Sequence, residues 1–102
     1  MSDREPTREE IDRSEGPLLL EFGAGWCGYC QALAPAVEGL LREYPQVRHV
    51  KVEDGKGKPL GRSFRVKLWP TLVFLRDGRA LKQVSRPGPE EVREGLEAIT
   101  AA

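Results

Sequence analysis

Apolar and polar positions divide the chain into short blocks of two different periods. Pro17-Leu18-Leu19-Leu20-Glu21-Phe22 is a continuous apolar run broken by one acid, the pattern of a strand covered on both faces. From Cys30 the residues Leu33, Val37, Leu40, Leu41 and Tyr44 recur at helical spacing until Pro45 ends the pattern. Pro35 lies inside that pattern and predicts a kink. Residues 47–52 read as a second strand with Val50 and Val52 on one face. Leu60 and Phe64, four apart, suggest one short helix within a stretch rich in glycine and lysine. Leu72-Val73-Phe74-Leu75 reads as another buried strand, and Asp77-Gly78 as a hairpin turn into residues 80–84. Gly88-Pro89-Glu90-Glu91 opens a last helix, whose apolar face is Val92, Leu96 and Ile99. Near the start, Thr7 and Glu10 have the spacing of a capping box, so residues 1–16 are a short helix or a solvated arm. The order β-α-β, loop or short helix, β-β-α predicts an α/β fold that joins a parallel crossover and an antiparallel hairpin in one sheet.

Length and charge then remove whole classes of function. A chain of 102 residues has room for one core, so residues 17–102 form one domain. Lysine plus arginine and aspartate plus glutamate number 16 each, which gives no overall field for nucleic acid or a membrane surface. The longest apolar stretch is far shorter than the roughly 20 residues of a membrane helix. The polar, charged first sixteen residues are unlike a signal peptide, so a cytoplasmic monomer is expected.

The two cysteines carry the candidate chemistry. Cys27 and Cys30 form a C-x-x-C pair after a glycine-rich loop and at the start of the first long helical pattern. Thiol–disulfide exchange needs a thiolate, and an ordinary cysteine titrates near about 8.5, so a reactive one must be acidified. A helix N-terminus does this through its unpaired N–H groups and dipole. On that placement Cys27 is the exposed attacker and Cys30, one turn later on the same face, the shielded resolver. Zinc uses the same spacing but wants four ligands, and the chain offers two thiols and His49 on another element. A structural disulfide closing so small a ring would constrain little of the unfolded chain.

Phe22-Gly23-Ala24-Gly25-Trp26-Cys27-Gly28-Tyr29-Cys30 resembles the active-site segment of the thioredoxin family, Phe-x-Ala-x-Trp-Cys-Gly-x-Cys. Pro35 matches that family's helix proline, the segment from Phe64 and Val66 to Pro70-Thr71 resembles the approach to its cis-proline, and Asp77-Gly78 matches its hairpin turn. The resemblance implies a thioredoxin fold, a central mixed sheet of four to five strands flanked by helices. It implies Cys27 as nucleophile, Cys30 as resolving thiol, and a cis Pro70 facing them. The backbone of Trp69 would pair with an extended substrate strand, and Trp26 would pack beside the disulfide. Glu21, six residues before Cys27, stands where many members have a buried aspartate. Between Leu20 and Phe22 it would be desolvated and suited to accept the proton of Cys30, unless its longer side chain reaches the sheet rim. Lys51 is a candidate partner for it on the next strand, whereas His49 reads as structural.

The chain also departs from the family's pattern. Thioredoxin itself has Gly-Pro between its cysteines, where this chain has Gly28-Tyr29, a pair that tunes the reduction potential. Gly-Tyr resembles the pair of exported bacterial disulfide isomerases, and the Gln83-Val84-Ser85-Arg86 segment lacks a glutathione motif. Ser85 stands in place of a glycine lining the family's substrate groove, and Leu68 and Trp69 are bulky beside Pro70, which would narrow that groove. The bases Lys56, Lys58, Arg62, Arg65 and Lys67 form an acid-free run, either a solvated loop or a field that steers acidic substrates. The expected activity is reduction of protein disulfides through the redox-active Cys27–Cys30 pair without a further cofactor or metal. The expected partners are protein disulfides and a flavin-dependent, NADPH-fed thioredoxin reductase. The alternatives are a disulfide oxidase or isomerase, or a redox-sensing client-binding module.

Overall fold

A computed structural model describes residues 5–101. The elements in chain order are α1 (Arg8–Asp12), β1 (Pro17–Gly23), α2 (Gly28–Leu41), β2 (Arg48–Glu53), α3 (Pro59–Ser63), β3 (Thr71–Arg76), β4 (Arg79–Ser85) and α4 (Pro89–Thr100). The four strands form one mixed sheet in the order β2-β1-β3-β4. The β1–β2 pair is parallel, with Glu21 opposite Lys51, and the other two pairs are antiparallel.

The unbroken apolar run of β1 follows from its central position. Successive strand side chains point to opposite faces, and both faces are covered. Leu18, Leu20 and Phe22 join Ile11, Val52, Leu60, Phe64, Val73 and Leu75 in one core cluster, beneath α1 and α3. Leu19 joins Leu33, Val37, Leu40, Leu72, Phe74, Val92, Leu96 and Ile99 in the other, beneath α2 and α4. Glu21 shares the parity of Leu19 and so lies on the α2 side.

Local chemistry sets the element ends. Thr7 Oγ1 accepts the Glu10 N–H at 3.1 Å while the Thr7 N–H donates to Glu10 Oε1 at 2.9 Å, the reciprocal cap expected from their spacing. The short α1 docks through buried Ile11 and through Arg8, which lies 3.9 Å from the Phe64 ring centroid and donates to the Ser63 carbonyl. Asp77 and Gly78 both have positive φ, 51° and 80°, as a two-residue hairpin turn requires. A Cβ at Gly78 would also collide with the backbone carbonyl of Asp12.

Some boundaries differ from the sequence reading. The first long helix starts at Gly28, so Tyr29 and Cys30 already belong to its first turn, and it ends at Leu41. It continues through Pro35 as one helix. The β3–β4 register slips between Phe74 and Leu75, which pair with Lys82 and Ala80, so Leu81 is a bulged residue and half of its surface is exposed. Among the described residues no helix is long and apolar enough to cross a membrane.

Candidate active site

Cys27 is the N-cap of α2, at the point where the chain leaves β1 through a glycine-rich turn. Its N–H donates to the Ala24 carbonyl at 3.0 Å, which closes that turn, and its Sγ accepts the Cys30 N–H at 3.3 Å. Both cysteines are free thiols. Their surroundings drive them in opposite directions. Cys27 is acidified by the thiol of Cys30 above all, with help from the N–H groups of Cys30 and Tyr29 and the charge of Arg86; burial opposes these. Cys30 is pushed up to about 11, first by burial, then by the Cys27 sulfur and the negative charge of Glu21.

Exposure does not follow the expected order. Cys27 is only 6% exposed, whereas Cys30 is half-buried and opens on a cavity of about 400 Å³ that it shares with Glu21 and Lys51. The hydrogen bond between the two thiols and the burial of the Cys30 sulfur separate them, with the helix-end N–H groups adding to the effect on Cys27. Gly23 lies directly under Cys30, where a Cβ would come within 2.7 Å of Sγ.

The Trp69–Pro70 peptide is cis, and the Trp69 carbonyl stands 4.0 Å from Cys27 Sγ. The Trp69 indole donates to Asp54 Oδ2 at 2.9 Å and meets the Trp26 ring edge-on at 5.3 Å between centroids. Trp26, Tyr29 and Leu68 are exposed large hydrophobic side chains, so the aromatic rim faces solvent. Gly28 lies between them in the first turn of α2 and is exposed. The Trp69 carbonyl, expected to be free for a substrate strand, already accepts Arg86 Nε at 2.9 Å. Ser85 does not face the cysteines through its side chain; its hydroxyl pairs with Thr71 Oγ1 at 2.9 Å. Arg86, the next residue, is the one that reaches the rim.

Glu21 is buried, at 6% exposure, and does not escape to the sheet edge. Its Oε1 lies 2.7 Å from His49 Nε2. The expected partner was Lys51, which is indeed opposite in register, but the carboxylate turns back along β2 to His49. His49 therefore has a partner on the α2 side of the sheet. The bases Lys56, Lys58, Arg62, Arg65 and Lys67 are all exposed. Among the described residues no group of three or more His, Cys, Asp and Glu side chains is arranged to hold a metal ion.

The thioredoxin family model matches residues 2–98. The chain belongs to the thioredoxin family. The reduced form of thioredoxin 2 from Pseudomonas aeruginosa PAO1 superposes with a TM-score of 0.82 at 55% identity, covering 96% of this chain and 92% of that one. Oxidised mitochondrial thioredoxin 3 of Saccharomyces cerevisiae gives 0.76 at 29% identity, covering 89% and 85%. Thioredoxin Asp f 28 of Aspergillus fumigatus is 35% identical over 89 residues, 86% of this chain and 82% of its own length. The four-stranded mixed sheet with flanking helices is the thioredoxin fold, and the Cys27–Cys30 pair makes the chain a thiol–disulfide oxidoreductase.

Three residues of this site were not singled out for it from the sequence. Asp54 and Arg86 come to Trp69 from other parts of the chain, and His49 reaches Glu21 across the sheet. Only the positive φ of Arg86, 51°, marks one of them as unusual, and that is visible in the structure alone.

Proposed function

We propose that this member of the family works as a protein-disulfide reductant, with Cys27 as the attacking and Cys30 as the resolving thiol. The observation that carries the assignment is the opposite displacement of the two thiols at one helix terminus beside the cis Trp69–Pro70 peptide. The Cys27 thiolate attacks one sulfur of a client disulfide and expels the other as a thiolate. The client then remains joined to Cys27, lying along Trp69 and Pro70 and bordered by Trp26, Gly28 and Tyr29. Cys30 gives its proton to Glu21 or to water and attacks the Cys27 sulfur, releasing the second client thiolate and leaving a Cys27–Cys30 disulfide. Two electrons have passed from the dithiol to the client. Glu21 suits the proton step because it lines the same cavity as Cys30, and the contact with His49 holds its carboxylate in one place. No prosthetic group takes part within the chain. A flavin-dependent, NADPH-fed thioredoxin reductase would restore the dithiol, in the cytoplasm, with the chain acting as a monomer and not on nucleic acid.

Trapping tests the assignment. A Cys30→Ser variant should accumulate a mixed disulfide through Cys27 with disulfide-bonded proteins, while Cys27→Ser should accumulate none and lose turnover. Mixed disulfides forming through Cys30 in Cys27→Ser would reverse the two roles.

A further inference from the structure

Arg86 stands beside the dithiol, and its charge is the least of the influences that acidify Cys27. It follows β4 and is held at φ 51°, a left-handed conformation that side chains with a Cβ adopt only at a cost. Three contacts keep it there. Its N–H donates to the Pro70 carbonyl at 2.7 Å, its Nε donates to the Trp69 carbonyl at 2.9 Å, and its guanidinium lies 4.0 Å from the Tyr29 ring centroid. A carbonyl and an aromatic face orient a guanidinium without neutralising it. Among the described residues no ion pair includes Arg86, and the residue is exposed. Among the described residues, only the Nε of its five side-chain N–H donors has an acceptor, and the side chain is exposed. The same Trp69 oxygen is within 4.0 Å of Cys27 Sγ, so the guanidinium and the sulfur share one neighbouring atom.

We propose that Arg86 is a specificity-determining residue that reads an acidic side chain next to the reactive cysteine of the client disulfide. The proposal rests on the reductant reading above. An extended client strand advances about 3.3 Å per residue, so with its cysteine sulfur at Cys27 a side chain one or two positions away falls over the guanidinium. A carboxylate there meets the paired terminal N–H groups in a bidentate contact. The contact is half in solvent, so it contributes a modest factor that salt weakens. Strain at position 86 and the Tyr29 stack then have a purpose: they hold the guanidinium still before the client arrives.

The test uses three disulfide-bonded peptides identical except for Glu, Gln or Lys beside the attacked cysteine. The rate of first-turnover oxidation of the reduced full chain is measured for each, at low and high salt. Comparing peptides within one variant cancels any change in Cys27 itself, which a merely structural role of Arg86 would produce. The expected order is Glu, Gln, Lys, with Glu faster than Gln by about three- to fivefold and the gap closing at high salt. Arg86→Glu should reverse the order. Arg86→Gly, which suits the positive φ, should abolish it, and Arg86→Lys should keep it in weaker form. Equal rates for the three peptides, or an order unchanged in Arg86→Glu, would refute selection by Arg86 while leaving the reductant reading intact. Failure to reduce any of the three, by a chain in which both thiols titrate, would remove both.

Discussion

Cys27 and Cys30 carry the same functional group and differ only in what surrounds them. That difference has a consequence for stability with a sign that changes with pH. In the unfolded chain both thiols titrate near about 8.5. Cys27 is acidified in the fold, so between its folded value and about 8.5 the unfolded state binds more protons, and stability rises with pH. Cys30 is pushed up to about 11, so above about 8.5 the folded state binds more protons, and stability falls as pH approaches 11. The reduced protein should therefore gain stability up to the ordinary thiol range and lose it beyond. Urea unfolding under a thiol reductant, at a series of pH values, checks this against the two serine variants. Cys27→Ser should remove the rising limb relative to the parent, and Cys30→Ser the falling limb. Identical profiles for all three proteins would mean that the fold leaves the thiols as it finds them. At the same scale, a nucleophile at a helix N-cap is activated by its partner thiol together with the N–H groups around it and need not be the more open of the pair.

The elements hold this pair in place through a few close approaches that only glycine permits. Gly95 in α4 faces the Phe74 ring, and a Cβ there would come within 2.5 Å of three ring carbons. Gly39 in α2 has nothing within 4 Å of the same position. Two chemically identical substitutions should therefore have opposite signs. Gly39→Ala should stabilise by about 0.5–1 kcal/mol, because alanine loses less backbone freedom in a helix. Gly95→Ala should destabilise by about 1–3 kcal/mol, since overpacking between α4 and β3 outweighs that gain. Denaturant midpoints measure both, with unchanged slopes showing that the effect is on stability. A stabilised Gly95→Ala would mean that α4 rides over the sheet with room to spare. Why the elements were legible follows from the same packing. Leu18-Leu19-Leu20 had to be a doubly covered strand because both sheet faces are roofed, and Asp77-Gly78 had to be a turn because both residues take positive φ. The bulge at Leu81 left no such mark, since the edge strand β4 has no buried residue whose alternation an extra residue could be seen to break.

At the scale of the whole molecule, legibility ran out where function depends on register. The Cys27–Cys30 pair is local, so its spacing and helix position could be read directly. The Glu21 contact depends on which way a carboxylate leans across a parallel pair, and Lys51 was the neighbour by alignment while His49 is the neighbour by distance. Arg86 reaches Trp69 only because β4 returns beside β3, a path that no window of sequence contains. The assembled site also bears on the direction of electron flow. A reduction potential measures how far the dithiol is stabilised against the disulfide, and strong oxidants owe their potential to a stabilised reduced form. Here the Cys27 sulfur is favoured by the Cys30 thiol, the N–H groups of Cys30 and Tyr29 and a nearby guanidinium, while burial opposes these and also disfavours the thiolate of Cys30. Equilibration with defined dithiol and glutathione buffers should therefore give a value near about −270 mV, the range of a reductant. A value near about −120 mV would require roughly five powers of ten more stabilisation of the dithiol. These contacts, opposed by burial at both thiols, are too little to supply that, so such a result would assign the chain to disulfide donation and locate the missing stabilisation outside the contacts around Cys27.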